Sequence, residues 1–329
     1  MSNLNRRRLL LAAASAWYLS PALAQNPAAS YPNKPIRFIV AFPPGGGTDV
    51  LARLVGQGLS QELGQSVVVE NKPGASGLIA AQFVAKAEPD GYTLLVGGSG
   101  PMVFNPVVLG SKIPYDPEKD LAALTLLGSY PLVIAVKNDL PVKNVDDLVK
   151  LVREKPGQLS YGHAGVTFQV PMEAFLQSIG LKMLAVQYKG GGPAIQALLG
   201  GEIDAVALDL TSIASAHKAG RMRAIAVTSH KRNPLLPDVP TLLEYGYMKD
   251  LEATAFTALG APGGTPPQIL DKLQKAVSKV LRSPEIKARL DQLGIEPGGQ
   301  SPQETLARYR REIAVYTPVA SNAGLIQDK

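Results

Sequence analysis

Apolar and polar positions along the chain repeat a rhythm: a short apolar, β-branched run, a glycine-rich break, then an amphipathic stretch. The first run covers 36–41, breaks at Pro43-Pro44, turns through Gly45-Gly46-Gly47, and resumes with helical spacing over 48–63. Gly64 ends that helix, and 66–70 reads as a second strand. A glycine loop at 71–77 leads into a helix through Ala87, and a turn at Pro89-Asp90-Gly91 precedes a third strand at 92–96. That strand stops at Gly97-Gly98-Ser99-Gly100. Strands alternating with helices predict a parallel sheet with its ligand site at the carboxyl ends of the strands.

Two apolar runs, 121–127 and 132–136, flank Gly128-Ser129-Tyr130-Pro131, which reads as a crossing into a second lobe. There the rhythm restarts with a helix at 145–154, a strand at 159–161, the loop Gly162-His163-Ala164-Gly165 and a helix to Ser178. A strand at 183–188, the turn Lys189-Gly190-Gly191-Gly192 and a helix through Leu199 follow. Next come a strand at 205–209, a helix at 211–219 and a strand at 223–228. A proline-rich loop, a short helix at 241–245 and a return strand at 253–259 bring the chain back to helices at 267–281 and 303–323. Two crossings between α/β lobes predict a hinge with a cleft, with 25–128 plus 253–329 as one lobe and 129–252 as the other.

The N-terminus breaks the rhythm. Arg6-Arg7-Arg8 precedes an apolar run at 9–19 and the small-x-small site Ala22-Leu23-Ala24, so 1–24 reads as a signal peptide removed to leave Gln25 first. The arginines before Leu9-Leu10 resemble a twin-arginine signal, and a general secretory route fits nearly as well. No later run reaches the roughly 18 apolar residues of a spanning helix, so the mature chain is expected to be exported without membrane insertion. Removing three leader arginines and no acid takes the formal charge from +6 to +3. No basic run with interleaved aromatics appears, which argues against nucleic acid. Cysteine is absent, excluding disulfides and thiolate chemistry.

Little in the sequence supports catalysis or a cofactor. A dinucleotide fingerprint needs a third small residue where Val50 and Val103 stand, and no phosphate-loop lysine follows a glycine pair at the required spacing. Ser99 lacks the following glycine of a nucleophile elbow, Pro101 standing there instead. His163, His217 and His230 show no metal-ligand spacing, and of the three only His163 lies in a glycine loop at a strand end. A secreted hydrolase using His163 with Asp209 or Ser99 is the enzyme alternative, and it requires those groups to converge. Asp49 either caps the first long helix or fixes the glycine turn; Asp209 either caps its helix or orients a ligand hydroxyl. Lys189 is a solvated charge or a ligand contact. The constructive signal is the first corner, where glycines expose backbone N–H groups at a helix N-terminus that suits a carboxylate or phosphate.

Taken in order, the residues resemble a known family over nearly the whole chain after the leader. They are Tyr31-Pro32 with Lys34-Pro35-Ile36-Arg37, the stretch 43–49, Glu70-Asn71-Lys72-Pro73-Gly74, and Pro89-Asp90-Gly91-Tyr92. Asn105-Pro106, Pro114-Tyr115-Asp116-Pro117, Tyr188-Lys189-Gly190, Leu236-Pro237-Asp238-Val239-Pro240-Thr241 and Ala261-Pro262 with Gly264-Thr265-Pro266 complete the set. This is similar to the Bug-type extracytoplasmic solute receptors of tripartite tricarboxylate transporters. The resemblance implies a two-lobed, type II periplasmic-binding-protein fold that closes on a small carboxylated solute as a monomer, without cofactor or metal. Its implied partners are membrane permease subunits or a sensor protein. It marks Pro44, Gly45, Gly46, Gly47 and Asp49, then Gly98, Ser99 and Gly100, as ligand-binding. From the second lobe it adds Ala164, Gly165 and Thr167, the turn at Lys189, Gly190 and Gly191, and Asp209; the residue reading contributes His163. The third loop departs from the family's Ser/Gly-rich pattern, being bulkier and more apolar at Val166 and Phe168.

Overall fold

A computed structural model describes residues 30–248 and 253–327; the expected signal peptide 1–24 and its cleavage site lie outside them. In chain order the structure runs β1 (Ile36–Val40), α1 (Gly47–Leu63), β2 (Val67–Asn71), α2 (Leu78–Ala85), β3 (Thr93–Gly98), α3 (Asn105–Leu109) and β4 (Leu121–Val136). It continues through α4 (Val145–Glu154), β5 (Ser160–His163), α5 (Val166–Ser178), β6 (Leu184–Gln187), α6 (Gly191–Leu199), β7 (Ala205–Asp209), α7 (Leu210–Lys218) and β8 (Arg223–Val227). It closes with β9 (Thr254–Pro262), α8 (Pro267–Leu281), α9 (Pro284–Gln292), β10 (Glu296–Pro297) and α10 (Pro302–Asn322).

The strands lie in the order β2-β1-β3-β9-β4-β7-β5-β6, with β10 and β8 also paired to β4. The sheet is mixed, which corrects the all-parallel expectation. β1 pairs in parallel with β2 and β3, and β5 with β6 and β7, as the βα rhythm requires. Between these two parallel groups, β9 and β4 run antiparallel to their neighbours. β4 is also one strand of 16 residues rather than two runs split by a turn. Its pairing with β9 is unbroken from Leu121↔Pro262 to Pro131↔Thr254, with irregularities near Thr125 and Gly128 absorbing the extra residues. Pro131 stands at the last β9 pair, where a missing N–H costs least. From Leu132 onward β4 pairs with β7 and β8 instead.

Apolar periodicity explains the packing. Phe38 and Val40 of β1, Leu51, Val55 and Leu59 of α1, and Leu273, Val277 and Leu281 of α8 form one core cluster. Val133, Val206 and Leu208 pack with Leu198 of α6 and Ile213 of α7 in another. Each such side chain, fully buried, contributes about 1.5–3 kcal/mol. Helix α9 escapes a sequence reading because only Ile286 and Leu290, one turn apart, are buried among its charged residues. Period two sorts β4 and β9 by face. Tyr130 and Leu132 share a side with Ala255 and Thr257, and Phe256 turns the other way to stack on Tyr309 of α10, ring centroids 5.3 Å apart.

Candidate functional site

The first corner follows β1. Gly45 has φ +79°, a conformation that glycine takes without strain, and its N–H donates to Asp49 Oδ2 at 2.9 Å. Asp49 is 3% exposed and is held by the chain itself: Asn71 Nδ2 donates to Oδ1 at 2.9 Å and Arg53 Nε to Oδ2 at 3.0 Å. Burial pushes the Asp49 carboxyl up, and the bonds from Arg53, Gly45 and Asn71 outweigh it, so the group sits below the usual carboxylate range. Of its two sequence readings the structure selects the one that fixes the turn: the N-cap of α1 is Gly46, with no side-chain cap at all. Pro44, Gly45 and Gly46 are exposed. A cavity of about 160 Å³ opens at the corner, lined by Gly45, Gly46, Gly47, Val50, Thr211, Ser212, Leu293 and Ile295. A Cβ on Gly47 would lie 3.2 Å from Thr211 Oγ1, so the corner faces the start of α7.

The second corner meets the third loop. Gly98 is pressed against β9, where a Cβ would fall 2.0 Å from the Phe256 carbonyl oxygen. Ser99 Oγ accepts the Phe256 N–H at 2.9 Å, tying the corner down. A Cβ on Gly100 would approach Thr167 Oγ1 to 3.0 Å, and one on Gly165 would approach Ser76 Oγ to 2.6 Å. Thr167 Oγ1 is buried with no hydrogen-bond partner. His163 is the last residue of β5 rather than part of the loop; its Nδ1 lies 3.2 Å from both the Gly165 N–H and the Gly165 carbonyl oxygen. The ring is 2% exposed, and burial pushes its pKa down, the Gly165 backbone only partly opposing this, so the imidazole is neutral.

Asp209 ends β7 and caps α7, accepting from Ser212 N–H at 2.9 Å, from Ser212 Oγ at 2.8 Å and from the Thr211 hydroxyl. A Cβ on Gly191 would lie 2.8 Å from Ser212 Oγ, which brings the start of α6 to the same place. Lys189 is exposed, and nothing lies within 4 Å of a Cβ built on Gly190, so these two stay outside the 160 Å³ cavity.

Sequence reading missed Tyr130. Burial and the facing Asp209 carboxylate push its phenol up to about 12, with the hydroxyls of Thr257 and Thr48 opposing the shift. It packs beside Leu132, Ala255, Phe168 and Ala164, so this one side chain joins the first corner, the third loop and Asp209. Its signal was hidden in a Gly-Ser-Tyr-Pro run that looks like a connection. A second cavity, of about 540 Å³, is lined by Tyr130 and Ile295 together with Lys231, Arg232, Asp291 and Glu296.

Ser99, His163 and Asp209 are each bonded to different neighbours, Phe256, Gly165 and Ser212, and among the described residues no hydrogen bond joins any two of the three. Among the described residues no helix is long and apolar enough to cross a membrane.

The chain is similar to known proteins over most of its length. The family profile described as tripartite tricarboxylate transporter family receptor matches residues 51–325. Protein BugT of Bordetella pertussis is 33% identical over 297 residues, covering 90% of this chain and 91% of that one. A protein of R. palustris solved with adipate is 36% identical with a TM-score of 0.83, over 89% of this chain and 98% of its own. MatC of Rhodopseudomonas palustris, solved with bound malate, is 32% identical with a TM-score of 0.79, over 88% and 99%.

Proposed function

This chain belongs to the tripartite tricarboxylate transporter receptor family, and from that premise we propose that it is a periplasmic receptor for a small carboxylated solute. Residues 25–128 and 253–329 form one lobe and 129–252 the other, hinged where β4 and β9 run side by side. In this reading residues 1–24 direct export and are removed. The solute's carboxylate docks at the start of α1, where the partial positive charge of the helix end favours it. Closure then brings Thr211, Ser212 and the third loop over it, shifting a pre-existing balance between open and closed forms. A monomer closed on its ligand is handed to membrane permease subunits, and no step requires catalysis.

The observation that carries the reading is the bare first corner: an uncapped helix start, three glycines and a cavity bounded across the way by Thr211 and Ser212. Two known dicarboxylate complexes among its relatives make carboxylates the first ligands to try. The test is a thermal-shift screen of mono- and dicarboxylates on the chain from Gln25 onward. A ligand at a hundredfold excess over its Kd stabilises the fold by about 2.7 kcal/mol. Gly47→Val, which places its side chain against Thr211, should abolish that stabilisation and leave the ligand-free melting curve close to wild type. An undiminished ligand response in Gly47→Val removes the corner from the mechanism.

A further inference from the structure

The proline-rich loop after β8 reaches from its own lobe to the other. Leu236 and Val239 anchor it, buried in the core cluster that holds α6 and α7. Arg232 stiffens it, donating from Nε to Glu244 Oε1 at 2.9 Å and from Nη1 to the Pro237 carbonyl at 3.2 Å. Asn233 is shaped by the same loop, its Oδ1 accepting the Leu235 N–H at 3.0 Å. The other end of that amide leaves the lobe: Nδ2 donates to the Gly294 carbonyl at 2.9 Å, 61 positions along the chain. Asn233 is 9% exposed, so water competes little for this bond.

Gly294 belongs to the turn that ends α9. Its N–H donates to the Asp291 carbonyl and the Ile295 N–H to the Leu290 carbonyl, a helix end closed on a glycine at φ +65°. A Cβ at Gly294 would fall 2.4 Å from Leu210 Cδ2 and 2.6 Å from Asn233 Oδ1, so the two lobes touch here. The residues on either side, Leu293 and Ile295, line the first-corner cavity, whereas Asn233 and Gly294 do not. Leu210 is followed at once by Thr211, which lies against Gly47. Consecutive residues of α7 therefore touch this turn and the first corner. A rigid movement of the second lobe that withdraws Thr211 from Gly47 also withdraws Leu210 from Gly294 and breaks the Asn233 bond.

We infer that the Asn233–Gly294 bond is a closure latch: it ties the lobes together beside the ligand corner, without touching ligand, and sets the balance between closed and open forms. This rests on the receptor reading above and adds the residue pair that tunes its affinity. A ligand gripped by the closed form binds more weakly in proportion as that form is less populated. Asn233 is thus a positioning residue, acting on the ligand only through closure.

A chain without cysteine accepts one spin label in each lobe, at Gln57→Cys on α1 and Gln196→Cys on α6, both exposed. Electron–electron double resonance on the chain from Gln25 onward, with no ligand added, then reads the distance between the lobes. Asn233→Asp keeps the oxygen that accepts the Leu235 N–H and replaces the interlobe donor with an acceptor facing the Gly294 carbonyl. It is expected to raise the ratio of open to closed distances at least about fivefold over wild type, in a protein that melts normally. If Asn233→Asp melts early, Asn233→Ser takes its place, since a hydroxyl serves the Leu235 N–H and is too short to reach Gly294. Superimposable distance distributions in wild type and the normally melting variant overturn the latch, including the case in which wild type already lies wholly at the longer distance. The carboxylate thermal-shift screen on wild type is independent of this outcome, so the latch and the receptor reading fail separately.

Discussion

The starts of α1 and α7 face each other across the same cavity and differ in one respect. α7 follows β7 directly and α1 follows β1 after the turn at 41–46, and Gly47, Thr211 and Ser212 all line the cavity between them. At α7 a carboxylate from the chain, Asp209, fills the acceptor role. At α1 the N-cap is Gly46, which has no side chain to fill it. The same contrast recurs elsewhere. Helices α4, α9 and α10 begin on Asn144, Ser283 and Ser301, each accepting a backbone N–H. Helices α5 and α6, at the other expected corners, begin like α1 on an uncapped glycine, Gly165 and Gly190. A helix start that carries its own acceptor satisfies its N–H groups locally, and one that begins on glycine leaves them to other partners.

The strongest way to break this comparison is at a glycine that only packs. Gly98→Ala would drive a methyl into the Phe256 carbonyl at 2.0 Å and should cost about 3 kcal/mol in urea unfolding. Gly46→Ala, with nothing nearer than the Pro43 carbonyl at 3.4 Å, should leave stability almost unchanged. If the two glycines cost the same, the distinction between packing and open corners is wrong.

Asp49 comes next. Asp49→Ala leaves the Gly45 N–H, Asn71 and Arg53 without their acceptor and should cost about 1–3 kcal/mol, read by thermal melting. Its pKa is lowered on folding, so the carboxylate's contribution is complete above the unfolded value of about 3.9 and is lost as pH falls through the lower folded value. Wild type should therefore lose stability below about pH 4 more steeply than Asp49→Asn. Parallel acid limbs would show that the carboxylate's charge is not what holds the turn.

The smallest effect sharpens the α7 side. Asp209→Ala removes the cap and should cost about 1 kcal/mol, whereas Asp209→Asn should cost a few tenths. Equal losses in calorimetric melting would mean that charge near Tyr130, not capping, accounts for the residue's place in the fold.

Much of the fold was legible because it is local. Helix α8 and strand β7 start and end at the residues the apolar spacing indicates, and Gly64 ends α1 with φ 66°. The glycine corners were found because glycine breaks both helical and strand patterns. β4 was misread because Gly128-Ser129-Tyr130-Pro131 has turn composition, and only β9, more than 120 residues later in the chain, holds it extended. Tyr130 was lost with it. Helix α9 was missed because two buried residues make too little period.

What the sequence determined alone is where the backbone bends and where helices begin without a cap, since both depend on residues within a turn of each other. Its ordered motifs also identified the family that the profile match bears out. Tertiary structure decided which corners meet. Gly47 faces Thr211, 164 positions away, and Tyr130 faces Asp209 because antiparallel pairing of β4 with β9 and β7 puts them there. Pairing of that kind is a property of the whole sheet, set by burying both faces at once, and no window of neighbouring residues contains it.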